Sequence, residues 1–118
     1  MAKAKLIVLK VQDKPGTVAA ATKVFAEAGI NILSIFGWGP EGVVQLMVDN
    51  PRKAMKALAA AGTAYSEATA DVVEMPNKPG SLHAYLEKLA KKGVNLRSIS
   101  GMSSKSGRKS VVVWTAQE

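Results

Sequence analysis

Apolar and polar positions follow one another along the chain in patterns that predict strands and helices in a fixed order. The stretch KLIVLKV at 5–11 is rich in aliphatic and β-branched residues, as is typical of a buried strand. Between residues 18 and 28 the apolar positions instead recur at helical spacing and form one stripe. Two further apolar runs, at 30–39 and 41–50, predict a second strand and a strand that returns beside it as a hairpin. This part of the chain therefore predicts the order strand, helix, strand, strand.

The same order is repeated 64 positions further along the chain. Residues 70–75 predict a strand, residues 82–89 carry a second apolar helical stripe, and 94–103 and 111–118 predict two more strands. Turn residues and core residues stay in step between the copies, which low-complexity similarity would not achieve, so we interpret the pattern as an internal duplication. The residues that recur unchanged are Lys14, Pro15, Gly16, Ala20, Ala26, Gly29, Asn31, Ser34, Ile35 and Gly37, as Lys78, Pro79, Gly80, Ala84, Ala90, Gly93, Asn95, Ser98, Ile99 and Gly101.

Glycine and proline mark the ends of the predicted elements in both copies. A Pro-Gly pair ends the first strand, and Gly16 and Gly80 are predicted as small N-caps of the helices that come next. Gly29 and Gly93 lie where a left-handed glycine usually ends a helix. Each copy is therefore predicted to form the same strand–turn–helix unit.

The two copies differ after their third strand. Residues 50–62 predict a further helix with Asn50 as its N-cap, and AYSEA at 64–68 predicts a short fourth strand. The order βαββαβ is that of a ferredoxin-like unit, whereas the second copy ends at its third strand. We therefore predict an α+β fold of two ferredoxin-like repeats, with antiparallel sheets and helices on one face. The predicted domains are 1–68 and a truncated 69–118.

Composition limits the class of protein and its location. The 118 residues are 47% apolar and 21% charged, as in ordinary folded proteins. The absence of cysteine excludes disulfides, a thiol nucleophile and thiolate metal sites. No apolar run is long enough to cross a bilayer, and the N-terminal sequence has no cleavage signature, so we expect a cytoplasmic protein.

The formal net charge of +7 could indicate an anionic partner such as a nucleic acid. The parts before and after residue 62 each contain eight Lys and Arg, against four and five acidic residues. The positive charge is therefore spread out, and its tightest group, Lys105, Arg108 and Lys109, lies in a predicted loop. We interpret the charge as a solvated basic surface, with an anionic partner as the alternative.

The repeated motifs resemble those of a known family. DKPG at 13–16 before an amphipathic helix, followed by AGINI at 28–32, resembles the ACT domain, a small regulatory fold of amino-acid metabolism. NKPG at 77–80 and KGVNL at 92–96 resemble it again, so the chain is similar to a tandem ACT protein with an abbreviated second repeat. The resemblance implies a free amino acid as ligand and no catalysis or cofactor. The ligand would be held near the strand–helix loops, between repeats or between subunits.

The residues that match this implied site have a suitable chemistry. A helix N-terminus favours a carboxylate, and a glycine lets the ligand approach the backbone. Asp13 could pair with an ammonium group, and the replacement of this residue by Asn77 argues against equal binding by the two loops. The implied ligand-binding residues are Asp13, Lys14, Pro15, Gly16, Thr17, Asn31 and Ile32, and Asn77, Lys78, Pro79, Gly80, Ser81, Asn95 and Leu96.

Two of these assignments have simpler alternatives. The Pro-Gly pairs are also good strand-to-helix turns, and an asparagine after a C-terminal glycine, such as Asn31 or Asn95, often only satisfies the turn backbone.

Enzymes and RNA-binding domains are less well supported by the sequence. The single histidine, His83, falls outside the apolar stripe of its helix, and the acidic residues lack the spacing of a metal site or a catalytic pair. An RNA-binding ferredoxin-like domain would display aromatic residues on its central strands. Phe36, Trp38 and Trp114 lie elsewhere, and we interpret them as hairpin or interface packing.

The sequence thus predicts a small, non-catalytic, allosteric amino-acid sensor. A truncated second repeat leaves a strand edge open, so we expect a homodimer or a higher homo-oligomer. The alternative is a regulatory subunit or assembly module that docks on an amino-acid biosynthetic enzyme.

Overall fold

The helices and strands occur in the order that the apolar pattern predicts. The structure is a computed structural model, which describes residues 2–117. The elements are β1 (Ala2–Lys10), α1 (Thr17–Glu27), β2 (Ile32–Trp38), β3 (Val43–Val48), α2 (Pro51–Ala60), β4 (Ser66–Pro76), α3 (Ser81–Lys91), β5 (Leu96–Met102) and β6 (Lys109–Ala116). Residues 5–68 form one compact unit, the first unit, and residues 2–4 with 69–117 form the second unit.

In the first unit, β3 lies between β1 and β2 and pairs antiparallel with both. Alternate residues of β1 and β3 point to one face, where they meet the apolar stripes of α1 and α2. Phe25 of α1 and Leu58 of α2 are fully buried there. The buried residues of this core are Ile7, Leu9, Phe25, Ile30, Val44, Leu46, Val48, Ala54 and Leu58.

In the second unit, β6 lies between β4 and β5, again with antiparallel pairing. The described residues of this unit contain one helix, α3, and its core is Met75, Leu89, Val112 and Trp114. The indole Nε1 of Trp114 donates a hydrogen bond of 2.7 Å to the Tyr85 hydroxyl. A tryptophan and a tyrosine thus fill the space beneath a single helix.

The strand registers show that the duplication extends to the backbone. Ile7 pairs with Leu46, and Asp71, 64 positions after Ile7, pairs with Trp114, 68 positions after Leu46. The β5–β6 hairpin is therefore four residues longer than the β2–β3 hairpin. The register is also interrupted at equivalent places, just after Ile32 and just after Leu96.

These observations confirm the α+β fold and its antiparallel sheets, and they correct one boundary. The strands predicted at 64–68 and 70–75 are one continuous strand, β4. The reason is visible in SEATADVVEMP, because neither glycine nor proline interrupts it before its last residue, Pro76.

The predicted caps are present at the helix ends. Gly16 and Gly80 precede α1 and α3 with φ of 88° and 91°, a left-handed conformation that glycine adopts at little cost. Asn50 caps α2, because its side chain accepts a hydrogen bond from the Lys53 backbone N–H. Among residues 2–117, no helix is long and apolar enough to cross a membrane.

Candidate functional site

A cavity of about 400 Å³ lies where the loop after β1 meets the first turn of α1 and the closed end of the β2–β3 hairpin. We call it the first cavity. It belongs wholly to the first unit, and all its walls are close to the first predicted loop. It is lined by Val11, Gln12, Asp13, Lys14, Thr17, Val18, Ile35, Gly37, Trp38, Gly39, Gly42, Val43 and Val44.

The loop wall of the first cavity is held by its own hydrogen bonds. The Thr17 hydroxyl lies 2.7 Å from the Gln12 carbonyl oxygen and 3.1 Å from that of Lys14, so it ties the start of α1 to the loop. No side chain caps α1 among the described residues. The Thr17 N–H donates to the Lys14 carbonyl oxygen at 3.4 Å, which leaves the N–H groups of Val18 and Ala19 to face a ligand.

The hairpin wall depends on one glycine. Gly42 has φ of 69°, and a Cβ built on it would lie 1.9 Å from the Val11 carbonyl oxygen. The Val11 N–H in turn donates to the Gly42 carbonyl oxygen at 2.7 Å. Only glycine permits this close approach, which brings the hairpin against the loop.

The first cavity combines a carboxylate with an apolar rim. Asp13 is exposed, and its Oδ1 lies 3.3 Å from the position that a Cβ of Gly39 would occupy, so the carboxylate is beside the hairpin end. Trp38 is 39% exposed and packs on Phe36 with ring centroids 5.3 Å apart. Val18, at 41%, adds a further exposed apolar side chain to the rim.

The second unit contains the equivalent cavity, also of about 400 Å³, which we call the second cavity. Each of its lining residues is 64 or, beyond the hairpin, 68 positions after a lining residue of the first cavity. The duplication therefore includes the cavity itself. The lining residues are Met75, Pro76, Asn77, Lys78, Ser81, Leu82, Gly101, Met102, Ser103, Ser110 and Val112.

Asn77, the counterpart of Asp13, has a structural role in the second unit. Its Nδ2 donates hydrogen bonds of 2.8 Å to the carbonyl oxygens of Ser104 and of Gly107. Its backbone N–H donates to the Arg108 carbonyl oxygen at 2.9 Å. The amide thus holds the longer β5–β6 hairpin loop against the loop before α3.

Pro15 and Gly16, like Pro79 and Gly80, lie in the loops but are not among the lining residues of the two cavities, and Asn31 and Ile32 lie further away. Ile32 pairs with Val48 of β3. The residue of β3 that lies beside the first loop is Val43, which is five residues away from Val48. The Asn31 backbone N–H donates to Asp49 Oδ1 at 3.1 Å. Helix α1, with 11 residues, separates the loop from Asn31 by about 16 Å.

The second unit repeats this arrangement. At one end of β6, Leu96 pairs with Ala116, and the Asn95 carbonyl oxygen accepts a hydrogen bond from the Gln117 N–H at 2.7 Å. The second loop lies at the other end of β6, where Pro76 pairs with Lys109. A ligand at either loop would therefore not reach the asparagine of the same unit.

Sequence reasoning located the loops and missed the hairpin walls. Trp38, Gly39 and Gly42 were not among the predicted residues, nor were their counterparts. The recurrence of Gly37 as Gly101 was a usable signal, because both lie in the hairpin wall of their cavity.

The histidine, Trp114 and the basic cluster that the sequence analysis singled out are not among the lining residues of the two cavities. His83 is exposed on α3 and lies 3.8 Å from Glu87, and within residues 2–117 no group of three His, Cys, Asp or Glu side chains could hold a metal ion. Trp114 is buried. The basic residues Lys105, Arg108 and Lys109 are exposed in and beside the β5–β6 hairpin loop.

The family model of the ACT domain matches residues 5–62, which are the first unit without its last six residues. The chain contains an ACT domain. The first cavity is therefore formed by the strand–helix loop of that domain, and the resemblance of its DKPG loop to the ACT family is confirmed.

Solved structures share the fold along the whole chain. Protein BT0572 from Bacteroides thetaiotaomicron is 24% identical, with a TM-score of 0.89 over 98% of this chain and 81% of that one. The regulatory subunit of aspartate kinase from Thermus flavus is 18% identical, with a TM-score of 0.65 over 96% and 82%. Its counterpart from Thermus thermophilus, in a ligand-free form, is 20% identical with the same TM-score and coverage. A comparison with curated protein sequences finds no match.

Proposed function

We propose that this protein is a non-catalytic regulatory protein that binds a free amino acid in the first cavity. The observation that carries the proposal is the position of Asp13, an exposed carboxylate, on the wall of a cavity that also includes the start of α1. A zwitterion needs one group of each sign close together, and this loop supplies both.

Each part of an amino acid has a complementary group at this loop. The ligand carboxylate is accepted by the first-turn N–H groups of α1, where Gly16 leaves space because nothing lies within 4 Å of a Cβ built there. The ligand ammonium pairs with Asp13. Its side chain meets the apolar rim formed by Val18 and Trp38.

The comparisons support a regulatory role. The family model places the loop of the first cavity in an ACT domain, and two structures that share the fold are described as regulatory subunits of aspartate kinase. No step of catalysis is needed for this function, and the ligand acts by binding alone.

We further propose that a second copy of the chain completes the site. Val18, Ile35 and Trp38 leave an apolar rim around the first cavity, and Ile35 is 50% exposed. Asn31 and Ile32, which lie away from the loop of their own unit, would be contributed by the partner. A ligand that touches both copies favours the arrangement in which both contact it, and this linkage would carry the regulatory signal.

A thermal-shift screen of the twenty amino acids, with a short RNA as control, tests the proposal. A ligand at a hundredfold excess over its Kd raises the free energy of unfolding by about 2.7 kcal/mol, so one or two amino acids should raise the Tm selectively. No shift with any amino acid would contradict the proposal and favour a module that docks on another protein. A shift with RNA alone would assign the function to the basic surface.

A matched pair of substitutions at Gly16 places the ligand. Gly16→Ala and Gly16→Asp impose the same left-handed strain and meet no neighbouring atom, but only the aspartate adds a negative charge beside the ligand carboxylate. We expect Gly16→Asp to abolish the shift and Gly16→Ala to retain most of it. Equal shifts in the two variants would show that the ligand is elsewhere, and Gly80→Asp then tests the second loop.

A further inference from the structure

The two cavities share a backbone frame but differ in the groups that could recognise a positive charge. Asp13 in the first cavity is replaced by Asn77 in the second, and Trp38 is replaced by Met102. A carboxylate and an aromatic face both attract an ammonium ion strongly. Both are found in one cavity, and both are missing from the other.

Asp13 and Asn77 also differ in whether their side chains already form hydrogen bonds within the protein. Among residues 2–117, no group forms a hydrogen bond or an ion pair with the Asp13 carboxylate. Asn77 instead donates both N–H groups of its amide to Ser104 and Gly107, and its Oδ1 lies 3.5 Å from the Ser110 hydroxyl oxygen. A ligand in the second cavity would have to break these bonds before it could use Asn77.

The charge of the second cavity is also wrong for an ammonium group. Among the described residues, Lys78 is the only charged one in its lining, whereas in the first cavity Lys14 is balanced by Asp13. An ammonium ion in the second cavity would therefore meet a lysine and no carboxylate, which is unfavourable for two like charges at short range.

From these contacts we infer that the two cavities have diverged, so that Asp13 selects ligands by their ammonium group and each chain binds one amino acid, in the first cavity. The second cavity keeps the duplicated shape, but its loop residue now fastens the β5–β6 hairpin. The inference rests on the proposed function and specifies its selectivity and stoichiometry.

Matched ligand pairs test the role of Asp13. The probes are alanine with propionate, leucine with 4-methylpentanoate, phenylalanine with 3-phenylpropionate, and aspartate with succinate, together with any other amino acid that raises the Tm and its des-amino carboxylate. Each is titrated calorimetrically into the full chain and into Asp13→Asn. A charge-assisted hydrogen bond corresponds to a roughly ten- to hundredfold change in Kd, so Asp13→Asn should weaken binding of the amino acid by that factor and should not weaken binding of the des-amino partner.

Glu41→Gln is the control, because it removes the same charge from an exposed residue of the β2–β3 hairpin that does not line the cavity. It should leave both members of each pair unchanged. Equal weakening of the amino acid and its des-amino partner in Asp13→Asn would overturn the inference and leave the proposed function intact.

Stoichiometry and location give the second readout. We expect one amino acid per chain, with perturbed amide NMR signals at Gly16, Thr17 and Val18 and unchanged signals at Gly80, Ser81 and Leu82. Two sites of equal affinity, or signals perturbed in both sets, would refute the divergence of the cavities. If no amino acid binds at all, the proposed function is wrong and this inference falls with it.

Discussion

The first and second units place the same cavity at the same point of the same fold, yet they hold its hairpin wall in different ways. In the first unit the wall is held by backbone, since Gly42 and Val11 are in direct peptide contact. In the second a backbone bond, from the Asn77 N–H to the Arg108 carbonyl oxygen, is supplemented by the Asn77 amide, which donates to two carbonyl groups of a longer loop. Because the shorter β2–β3 hairpin needs no side chain to hold it, Asp13 is free to contact a ligand. The longer β5–β6 hairpin is held by Asn77, the residue equivalent to Asp13.

The cores differ in a related way. Where the first unit pairs Ile7 with Leu46 beneath two helices, the second pairs Asp71 with Trp114. Asp71 is 6% exposed, and Lys3 contacts both oxygens of its carboxylate. The Lys3 Nζ donates a hydrogen bond of 3.0 Å to Oδ2. It also lies 2.9 Å from Oδ1, as an ion pair without a directed hydrogen bond. At this position the second unit thus has a polar contact in place of aliphatic packing. Such a contact stabilises the fold only while the buried carboxylate keeps its partner.

The largest expected effect is on the backbone wall of the first unit. Gly42→Ala should reduce the free energy of unfolding by about 3–4 kcal/mol, because the new Cβ would lie 1.9 Å from the Val11 oxygen in addition to the left-handed strain. Gly62→Ala is the control, since Gly62 has φ of 71° and nothing within 4 Å of its Cβ position. That control should cost about 1 kcal/mol. Urea denaturation measures the free energy of unfolding of both variants. Equal losses of stability would show that the contact with the Val11 oxygen is not what requires a glycine at position 42.

The next effect compares an ion pair in which only the carboxylate is buried, since the Lys3 side chain is 71% exposed, with a pair in which both partners are partly exposed. Lys3→Met leaves the Asp71 carboxylate, with 8% of its side chain exposed, without its cation and should cost about 1–3 kcal/mol. Lys5→Met, two residues along the same strand, breaks the pair with Glu67, which is 43% exposed, and should cost less than about 0.5 kcal/mol. If denaturation shows the two variants to be equally stable, Asp71 is solvated and the second core does not depend on its lysine.

A feature could be predicted from the sequence when it depends on residues that are close together along the chain. The duplication, the caps and the α+β order depend on local patterns, so the recurrence of Gly16 as Gly80 was enough to reveal both strand–helix turns. The position of Asn31 was also within reach, because a helix of 11 residues carries the chain about 16 Å away from the loop that precedes it.

The role of Asn77 could not have been predicted in the same way. Its partners are backbone carbonyl groups 27 and 30 residues further along the chain, and carbonyl groups carry no sequence signal. The four-residue insertion between β5 and β6 pointed only to a longer loop. That the Asp-to-Asn change and the longer hairpin are one structural feature emerges only when the fold brings them together.

A smaller effect tests this link between Asn77 and the hairpin. Asn77→Ala removes two hydrogen bonds to the loop and should cost about 1–2 kcal/mol, whereas Asp13→Ala at the equivalent position should change stability by less than about 0.5 kcal/mol. Faster amide hydrogen exchange at Gly107 is expected in the first variant. Equal stability of the two variants would mean that the equivalent loops carry equivalent residues after all, contrary to the divergence of the cavities.

The smallest effect concerns the helix that distinguishes the first unit. Asn50 accepts a 3.1 Å hydrogen bond from the Lys53 N–H at the start of α2, and neither α1 nor α3 has a side-chain cap. Asn50→Ala should cost about 1 kcal/mol and Asn50→Gly only a few tenths, since glycine is itself tolerated as an N-cap. Hydrogen exchange should quicken in α2 and stay unchanged at Leu89 of the second unit. Equally faster exchange in both places would mean that the two units unfold together.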